Sequence, residues 1–328
     1  MRAASYARFG AASDVLEITE IEMPTPGPGE VRVRLAFSGV NPSDAKARAG
    51  ARPGVTKPAF PRIIPHSDGA GEIDAVGAGV DAARIGSRIW IWNGQWQRAF
   101  GTAAQFICLP SAQAVDIPSS VSLETGATLG IPGLTAAQVV FGGGDIAGKT
   151  LLISGGAGAV GHNAVQLAKW GGAKVIATAR GAGLARALEA GADSALDYTN
   201  ADLAAEILEA SGGGIDRAIE VEFGANIPLL AEVMRPLGTI AAYGSGAEMM
   251  PTLPFGPFLF KALKIDITLI YLLPEAERAV IIERLHSALT TDALRPAIQA
   301  VLPLENCAEA HDAVMTPGRS GAILLDMA

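Results

Sequence analysis

Gly156, Gly158 and Gly161, in the run Gly156-Ala157-Gly158-Ala159-Val160-Gly161, follow the apolar stretch Thr150 to Ser154 and lead into an apolar-periodic segment from Val160 to Trp170. A strand, a glycine turn and a helix in that order can bind a dinucleotide diphosphate. Gly156 allows the tight turn, Gly158 lets the pyrophosphate approach the backbone, and Gly161 lets helix and strand pack closely. The helix start at Ala159 and Val160 then presents free N–H groups and a partial positive charge to the phosphates. With 39 glycines in the chain the spacing alone is weak. The flanking strand and helix give it meaning.

An NAD site carries an Asp or Glu roughly 20 residues past the turn to hold the ribose 2′-hydroxyl. Here that place, after Ala177-Thr178-Ala179, is taken by Arg180, and no acidic residue lies between Asp145 and Glu189. A guanidinium suits a 2′-phosphate through charge-assisted hydrogen bonds, whereas a carboxylate would repel it. The expected cofactor is therefore NADP(H). Tyr198, just past a later strand, is placed to line the same adenosine pocket.

These residues need a scaffold. From about 130 to 262 the pattern alternates strand and helix: Lys174 to Thr178, Leu184 to Ala190, Ser194 to Asp197, Leu203 to Ala210, Asp216 to Val221, Ile227 to Met234, Thr239 to Tyr243. That alternation implies a parallel sheet with helices on both faces. Residues 1 to about 125 instead hold short β-like runs (Glu30 to Leu35, Gly71 to Val76, Ser87 to Trp92, Ala103 to Leu109). Turn signals such as Pro26-Gly27-Pro28-Gly29, Arg52-Pro53-Gly54 and Gly77-Ala78-Gly79 separate them, as in a small β-rich barrel. The tail reads as a strand (Lys264 to Leu272), helices (Glu275 to Leu289, Pro303 to Val314) and a closing strand (Gly321 to Asp326). It is expected to complete the first domain, which gives 1–125 with 263–328 as one domain and 126–262 as the other.

Composition narrows the function classes. The chain has 328 residues, 49% hydrophobic and 18% charged, with formal net charge −8. It can bury a substantial core, and its acidic balance argues against nucleic acid or a membrane surface as the main partner. There is no apolar signal core at the N-terminus and no uninterrupted apolar run of membrane-spanning length, so a soluble cytoplasmic protein is expected. Cys108 and Cys307 stand far apart and form no disulfide framework or zinc cluster. His66, His162, His286 and His311 are scattered without metal-ligand spacing, and each reads as a packing or helix-surface residue.

Ser38-Gly39-Val40-Asn41-Pro42-Ser43-Asp44 resembles a motif of the zeta-crystallin-like quinone oxidoreductases, zinc-independent members of the medium-chain dehydrogenase/reductase superfamily. Pro65-His66-Ser67-Asp68-Gly69-Ala70-Gly71, Gly130-Ile131-Pro132-Gly133-Leu134-Thr135-Ala136, the glycine turn, and Ala190-Gly191-Ala192-Asp193 with Asp197-Tyr198 follow in the family's order. The resemblance spans nearly the whole chain. It implies an α/β protein: a GroES-like β-rich domain, a Rossmann-type doubly wound parallel-sheet domain, and an active site in the cleft between them. Zinc-dependent relatives carry a Cys where Asn41 stands and a His at Ser67, and the lobe that holds four structural-zinc cysteines has none here. No metal is expected.

By the same resemblance, Asn41 lies near the nicotinamide ribose and substrate, unless it is simply a turn residue before Pro42. Asp44 either orders this loop or acts as a proton source with a raised pKa. Thr135 touches nicotinamide or phosphate, or merely caps a helix. Tyr243-Gly244-Ser245 ends a strand at the carboxyl edge where ligands collect, and binds the cofactor with Gly244 allowing its close approach, unless the segment is an ordinary turn. Trp92, Trp96 and Arg98 form either a substrate loop for a flat or acidic molecule, or an ordinary hairpin. Ala322 replaces a Lys common in relatives. Without a Lewis acid, hydride is best accepted by a quinone or an activated alkene, whose conjugated oxygen needs only hydrogen-bond donors. The expectation is an NADPH-dependent quinone reductase forming a homodimer or homotetramer. An enone or enoyl reductase is the second enzyme reading, and an NADPH-binding structural or RNA-binding protein is the reading from another class.

Overall fold

The computed structural model describes residues 1–51 and 54–328, so the turn expected at Arg52-Pro53-Gly54 lies largely outside the described residues. The chain divides into two compact units, 1–131 with 297–328 and 132–296. In chain order, the first unit holds β1 (Arg2–Ser5), α1 (Ala12–Val15), β2 (Glu17–Glu20), β3 (Glu30–Val40), α2 (Pro42–Arg48), β4 (Asp68–Val76), β5 (Arg88–Ile91), β6 (Phe106–Pro110), β7 (Ala114–Asp116) and α3 (Leu123–Gly126). The second unit holds α4 (Leu134–Phe141), β8 (Thr150–Ile153), α5 (Ala159–Trp170), β9 (Lys174–Ala179), α6 (Gly183–Glu189), β10 (Ser194–Asp197), α7 (Leu203–Ser211), β11 (Ile215–Glu220), α8 (Phe223–Val233), β12 (Met234–Ala242), α9 (Phe255–Phe260), β13 (Lys264–Ile267) and α10 (Glu275–Thr290). The chain then returns to the first unit with β14 (Ile298–Pro303), α11 (Cys307–Ala313) and β15 (Ala322–Asp326).

In the first unit, β3 is the spine of a seven-stranded sheet ordered β14-β15-β3-β4-β5-β7, with β6 also paired to β3. Val31, Val33 and Leu35 alternate inward along it, joining Ile73, Ile89, Ile107, Leu109 and Leu325 in one core. β3 runs on past Leu35 to Val40, so Ser38, Gly39 and Val40 belong to the strand and Asn41 caps α2. Gly39 is required there, since a Cβ would sit 2.3 Å from the Ala127 carbonyl oxygen.

The second unit is a six-stranded parallel sheet ordered β10-β9-β8-β11-β12-β13. Strand order reverses between β8 and β11, which defines the topological switch point where open α/β sheets bind ligands. Leu152, Ile176, Ala218 and Ile240 from four adjacent strands fill the sheet's interior.

This unit extends to Pro296 rather than ending at 262. The strand expected to cap the barrel, Lys264–Ile267, pairs parallel with β12 at Thr239↔Lys264 to Ala242↔Ile267. The helix after it carries Arg284, whose guanidinium lies 4.8 Å from the Phe141 ring of α4. Residues 270–272, expected as strand, form a 3₁₀ turn. No helix among the described residues is long and apolar enough to cross a membrane.

Candidate active site

The glycine turn sits at the switch point. Ser154 closes β8 with its N–H on the Ile219 carbonyl, and Gly156 N–H bonds the Thr178 carbonyl, so the turn is pinned between β9 and β11. The tight bend belongs to Gly155, at φ +68°, rather than to Gly156. Gly156 instead makes room for a neighbouring strand, since a Cβ there would lie 2.7 Å from the Ala177 Cβ. Gly161 meets the turn itself, where a Cβ would fall 2.2 Å from the Gly155 oxygen. Gly158 is the cap of α5 in extended conformation, and its virtual Cβ touches only the Gly155 oxygen, at 3.4 Å. This is an open cradle ahead of a 12-residue helix whose first-turn amides, from Ala159 and Val160, face outward without a side-chain cap. The arrangement fits a diphosphate.

Behind the turn lies a carboxylate that the sequence reading passed over. Glu220, fully buried at the end of β11, accepts from Ser154 Oγ at 2.6 Å, from the Glu222 N–H at 2.6 Å and from Asn226 Nδ2 at 3.0 Å. Burial raises its pKa, and these three donors oppose the rise. It ties the ends of β8 and β11 to α8 and so fixes the floor of the crevice.

Arg180 follows β9 directly and is exposed; its carbonyl accepts from the Gly183 N–H, while its guanidinium makes no hydrogen bond among the described residues. Tyr198 N–H bonds the Ala179 carbonyl at 3.1 Å, which brings the exposed Tyr198 beside it in the backbone ladder. Asp197 is also nearby, but its Oδ1 is occupied by the Thr199 N–H and hydroxyl, and these, with Arg180 as a minor contributor, hold its pKa below the usual value. One oxygen of the carboxylate is thus engaged by its own loop, and no hydrogen bond joins Asp197 to the Arg180 guanidinium among the described residues.

The Tyr243-Gly244-Ser245 segment stands at the carboxyl edge as expected, but the Gly244 carbonyl and the Ser245 hydroxyl are committed inside the protein. The Gly244 carbonyl accepts from Phe223 N–H, and Ser245 Oγ accepts from Gly224 N–H at 2.8 Å while donating to the Glu248 carbonyl. Both satisfy the first amides of α8, which removes that helix end as an anion site. Gly244 answers a packing need, since its Cβ would lie 2.5 Å from the Val221 oxygen. Tyr243 is half-buried, and burial raises its pKa. Thr135 is buried in the first turn of α4, two residues past the cap position, which Gly133 holds.

In the first unit, Asn41 and Asp44 form a capping box at the start of α2, with Asn41 N–H donating to Asp44 Oδ2 at 2.8 Å. Asp44 thus ties the Asn41 backbone to the first turn of α2. The Asn41 side chain is aimed by a residue the sequence reading quoted only as part of a motif: Nδ2 donates to Asp68 Oδ2 at 2.8 Å. Asp68 is buried, and its Oδ1 lies where a Cβ on Gly130 would come within 2.2 Å. Burial raises the Asp68 pKa well above its ordinary value and Asp44 adds to the rise, against the Asn41 amide and the Ile131 N–H. The result is an amide held by a reluctant carboxylate, with its second N–H left to donate.

The tryptophan segment is the loop after β5, folded onto 64–67: Gly94 N–H bonds the Ser67 carbonyl and Ile64 N–H the Ala99 carbonyl. Trp90 is fully buried on β5, while Trp92 and Trp96 are half-buried. Arg98 is turned into its own loop on one side, while its Nη1 is buried without a hydrogen-bond partner. Its Nη2 donates to the Asn93 carbonyl at 3.0 Å and to Gln113 Oε1, which staples the loop whose Asn93 and Gln97 take positive φ.

A Rossmann-ordered unit bearing a diphosphate cradle, in one chain with a GroES-like sheet, defines a dinucleotide-dependent oxidoreductase class. Residues 27–119 match the alcohol dehydrogenase GroES-like domain model, and 159–287 match the zinc-binding dehydrogenase model. The chain is 28% identical to a quinone oxidoreductase of Rattus norvegicus over 99% of its length and 97% of that protein. It is 29% identical to the synaptic vesicle membrane protein VAT-1 homolog of Homo sapiens, over 92% of this chain and 80% of that one. A crystal structure of an NAD-dependent alcohol dehydrogenase superposes with TM-score 0.89 at 29% identity, with both chains fully covered. The two matched domain models fall in both units, which places the chain in the medium-chain dehydrogenase/reductase superfamily, and quinone oxidoreductases are among its relatives and solved neighbours.

Zinc, which one family model carries in its name, does not fit the donors here. The position of the resembling thiolate holds Asn41, whose amide nitrogen is a donor already bonded to Asp68, and Ser67 replaces the imidazole. Neither offers what a zinc ion selects.

Proposed function

We propose that this chain is an NADPH-dependent, zinc-independent reductase of quinones or other conjugated carbonyl acceptors. The observation that carries the reading is the open Gly158 cradle at the switch point, with the exposed Arg180 at the end of the next strand and one oxygen of the neighbouring Asp197 carboxylate engaged by Thr199. Bound NADPH would supply the hydride from its nicotinamide. The first-turn amides of α5 hold the diphosphate, Arg180 pairs with the 2′-phosphate beside Tyr198, and Ala157 backs the turn. Asn41, locked by Asp68, donates its remaining N–H to an acceptor oxygen as negative charge develops. Thr135 contributes to the nicotinamide end, and Trp92 and Trp96 offer apolar surface to a flat acceptor. Tyr243, Gly244 and Ser245 shape the crevice edge, Gly244 and Ser245 with their carbonyl and hydroxyl already engaged within the protein. Bonded within its own loop, Arg98 lends no support to an acidic or acyl-thioester substrate. A cytoplasmic location belongs to the same reading.

The test is NADPH oxidation against benzoquinones, 2-alkenals and small unsaturated acids, run in parallel with NADH. Turnover with quinones or alkenals and at least roughly tenfold higher kcat/KM for NADPH are expected. Arg180→Ala should lower the NADPH value about 10- to 100-fold, worth about 1.4–2.7 kcal/mol, and leave NADH turnover nearly unchanged. Equal or better use of NADH by the unmodified enzyme overturns the cofactor assignment. NADPH binding without turnover of any acceptor would point instead to a structural or RNA-binding role.

We infer further that the chain is a homodimer joined along β13. That strand is paired on one side only, and Ile267 is 77% exposed beside Phe260 at 89%. A free parallel edge with apolar side chains invites a second copy to extend the sheet. Light scattering should give a dimer mass, and Ile267→Glu should shift it toward the monomer. A monomeric unmodified protein at micromolar concentration disposes of this interface.

A further inference from the structure

His66, Cys307 and His311 come from distant parts of the sequence, yet one ligand atom of each lies within 4.8 Å of the others, in full burial. Cys307 and His311 are four residues apart on α11 and share a face. His66 arrives from the segment before β4 at φ +77°, a conformation that a residue with a Cβ rarely adopts. Its Nε2 lies 2.9 Å from His311 Nε2.

The protons between them can be assigned. Thr102 Oγ1 donates to the Asp68 carbonyl at 2.5 Å, an atom that can only accept. Thr102 Oγ1 must therefore accept from Ser38 Oγ at 2.8 Å, and Ser38 Oγ in turn accepts from His66 Nδ1 at 2.9 Å. His66 is thus the Nδ1–H tautomer, with its Nε2 lone pair aimed at His311 and bridged by one proton from His311 Nε2. His311 Nδ1 is left buried without a partner. A hydroxyl that fixes the far nitrogen of a buried imidazole, freeing the near one, is the usual support of a metal-ligating histidine.

We propose that His66 Nε2, His311 Nε2 and Cys307 Sγ form a sealed three-coordinate site for cuprous ion. Two imidazoles and a thiolate are soft donors suited to Cu⁺. A monovalent ion with one thiolate leaves the buried centre neutral. A divalent ion would leave a net positive charge in the core close to Arg48, whose charge already disfavours protonation of His311. Zinc would also want a fourth ligand, which full burial denies to water. Binding balances as Cys–SH plus Cu⁺ giving Cys–S–Cu plus H⁺. The Nε2 proton of His311 moves to its vacant Nδ1, and the two nitrogens part by roughly half an ångström to reach ordinary metal–ligand lengths near 2.0 Å. No oxidant or reductant is needed.

The experiment is an anaerobic titration with ascorbate-reduced copper against a chromophoric Cu⁺ chelator, with copper added both to folded protein and during refolding. One Cu⁺ per chain is expected, retained in Cys108→Ser and weakened at least 100-fold in the near-isosteric Cys307→Ser. X-ray absorption of copper-loaded unmodified protein should show one sulfur and two nitrogens, and this decides the matter even where Cys307→Ser folds poorly. Equal copper uptake by Cys307→Ser, a sulfur-free copper shell, or tighter binding of Zn²⁺ than of Cu⁺ each overturns the site.

Discussion

Gly158→Val should weaken NADPH binding at least 100-fold, about 2.7 kcal/mol, while leaving the fold nearly as stable as before. Gly158 has φ −76° and ψ 168°, which any residue adopts, and a Cβ there meets only one atom at van der Waals distance. The cost in the free protein is then a changed helix cap, roughly 1 kcal/mol or less. In the complex the isopropyl group stands where the diphosphate must approach the α5 amides. Gly161→Ala is the counterpart with the opposite signature. Its Cβ would lie 2.2 Å from the Gly155 oxygen and 2.8 Å from its carbonyl carbon, both backbone atoms that cannot swing aside. That variant should lose on the order of 3 kcal/mol of stability. Fluorescence titration with NADPH and thermal melting separate the two effects. An unchanged dissociation constant for Gly158→Val would remove the glycine turn from the binding site.

The contrast between these two glycines also shows what the sequence could and could not reveal. Spacing, with a strand before and a helix after, located the turn, because those signals are local. It misassigned the sharp bend to Gly156, because the positive φ of Gly155 follows from how β8 leaves the sheet. The strand expected over Lys264 to Leu272 forms only over Lys264–Ile267, and it joins the other sheet. Its partner is set by the free edge of β12, which no local pattern encodes. Arg98 looked like a substrate anchor because an arginine in a tryptophan-rich loop is chemically suggestive, and only the fold shows Asn93 and Gln113 holding it. The Asn41–Asp68 pair spans 27 residues and the His66–His311 pair 245. Scattered histidines give no periodic signal, so nothing in the sequence announced their meeting. Had a buried polar residue at the odd backbone position been suspected, His66 amid Pro65-His66-Ser67-Asp68 was the place to look.

That same histidine pair should make the metal-free protein acid-labile well above the range where carboxylates titrate. Burial lowers the pKa of His311 to about 3, with Arg48 adding to the effect. His66 is pushed well down by burial and then by His311. In the unfolded chain both imidazoles titrate near the ordinary 6.5. Between about 3 and 6.5 the unfolded state holds protons that the folded state refuses, so stability rises with pH there and is lost as pH falls below 6.5. For His311 alone the loss at pH 5 is about 2 kcal/mol, and it grows by about 1.4 kcal/mol for each further unit. With His66 acting in the same direction, the sum at pH 5 is a sizeable share of the roughly 5–15 kcal/mol typical of a folded domain. Urea unfolding at pH 8, 6.5 and 5, with a chelator present, measures this directly. The double variant His66→Gly, His311→Leu removes both titrating groups and places glycine at the positive φ, so its stability should change much less over the same interval. A parallel decline in both proteins would mean that the buried pair already carries its protons in the folded state, and the hydrogen-bond direction running from His311 to the Asp68 carbonyl would have to be abandoned.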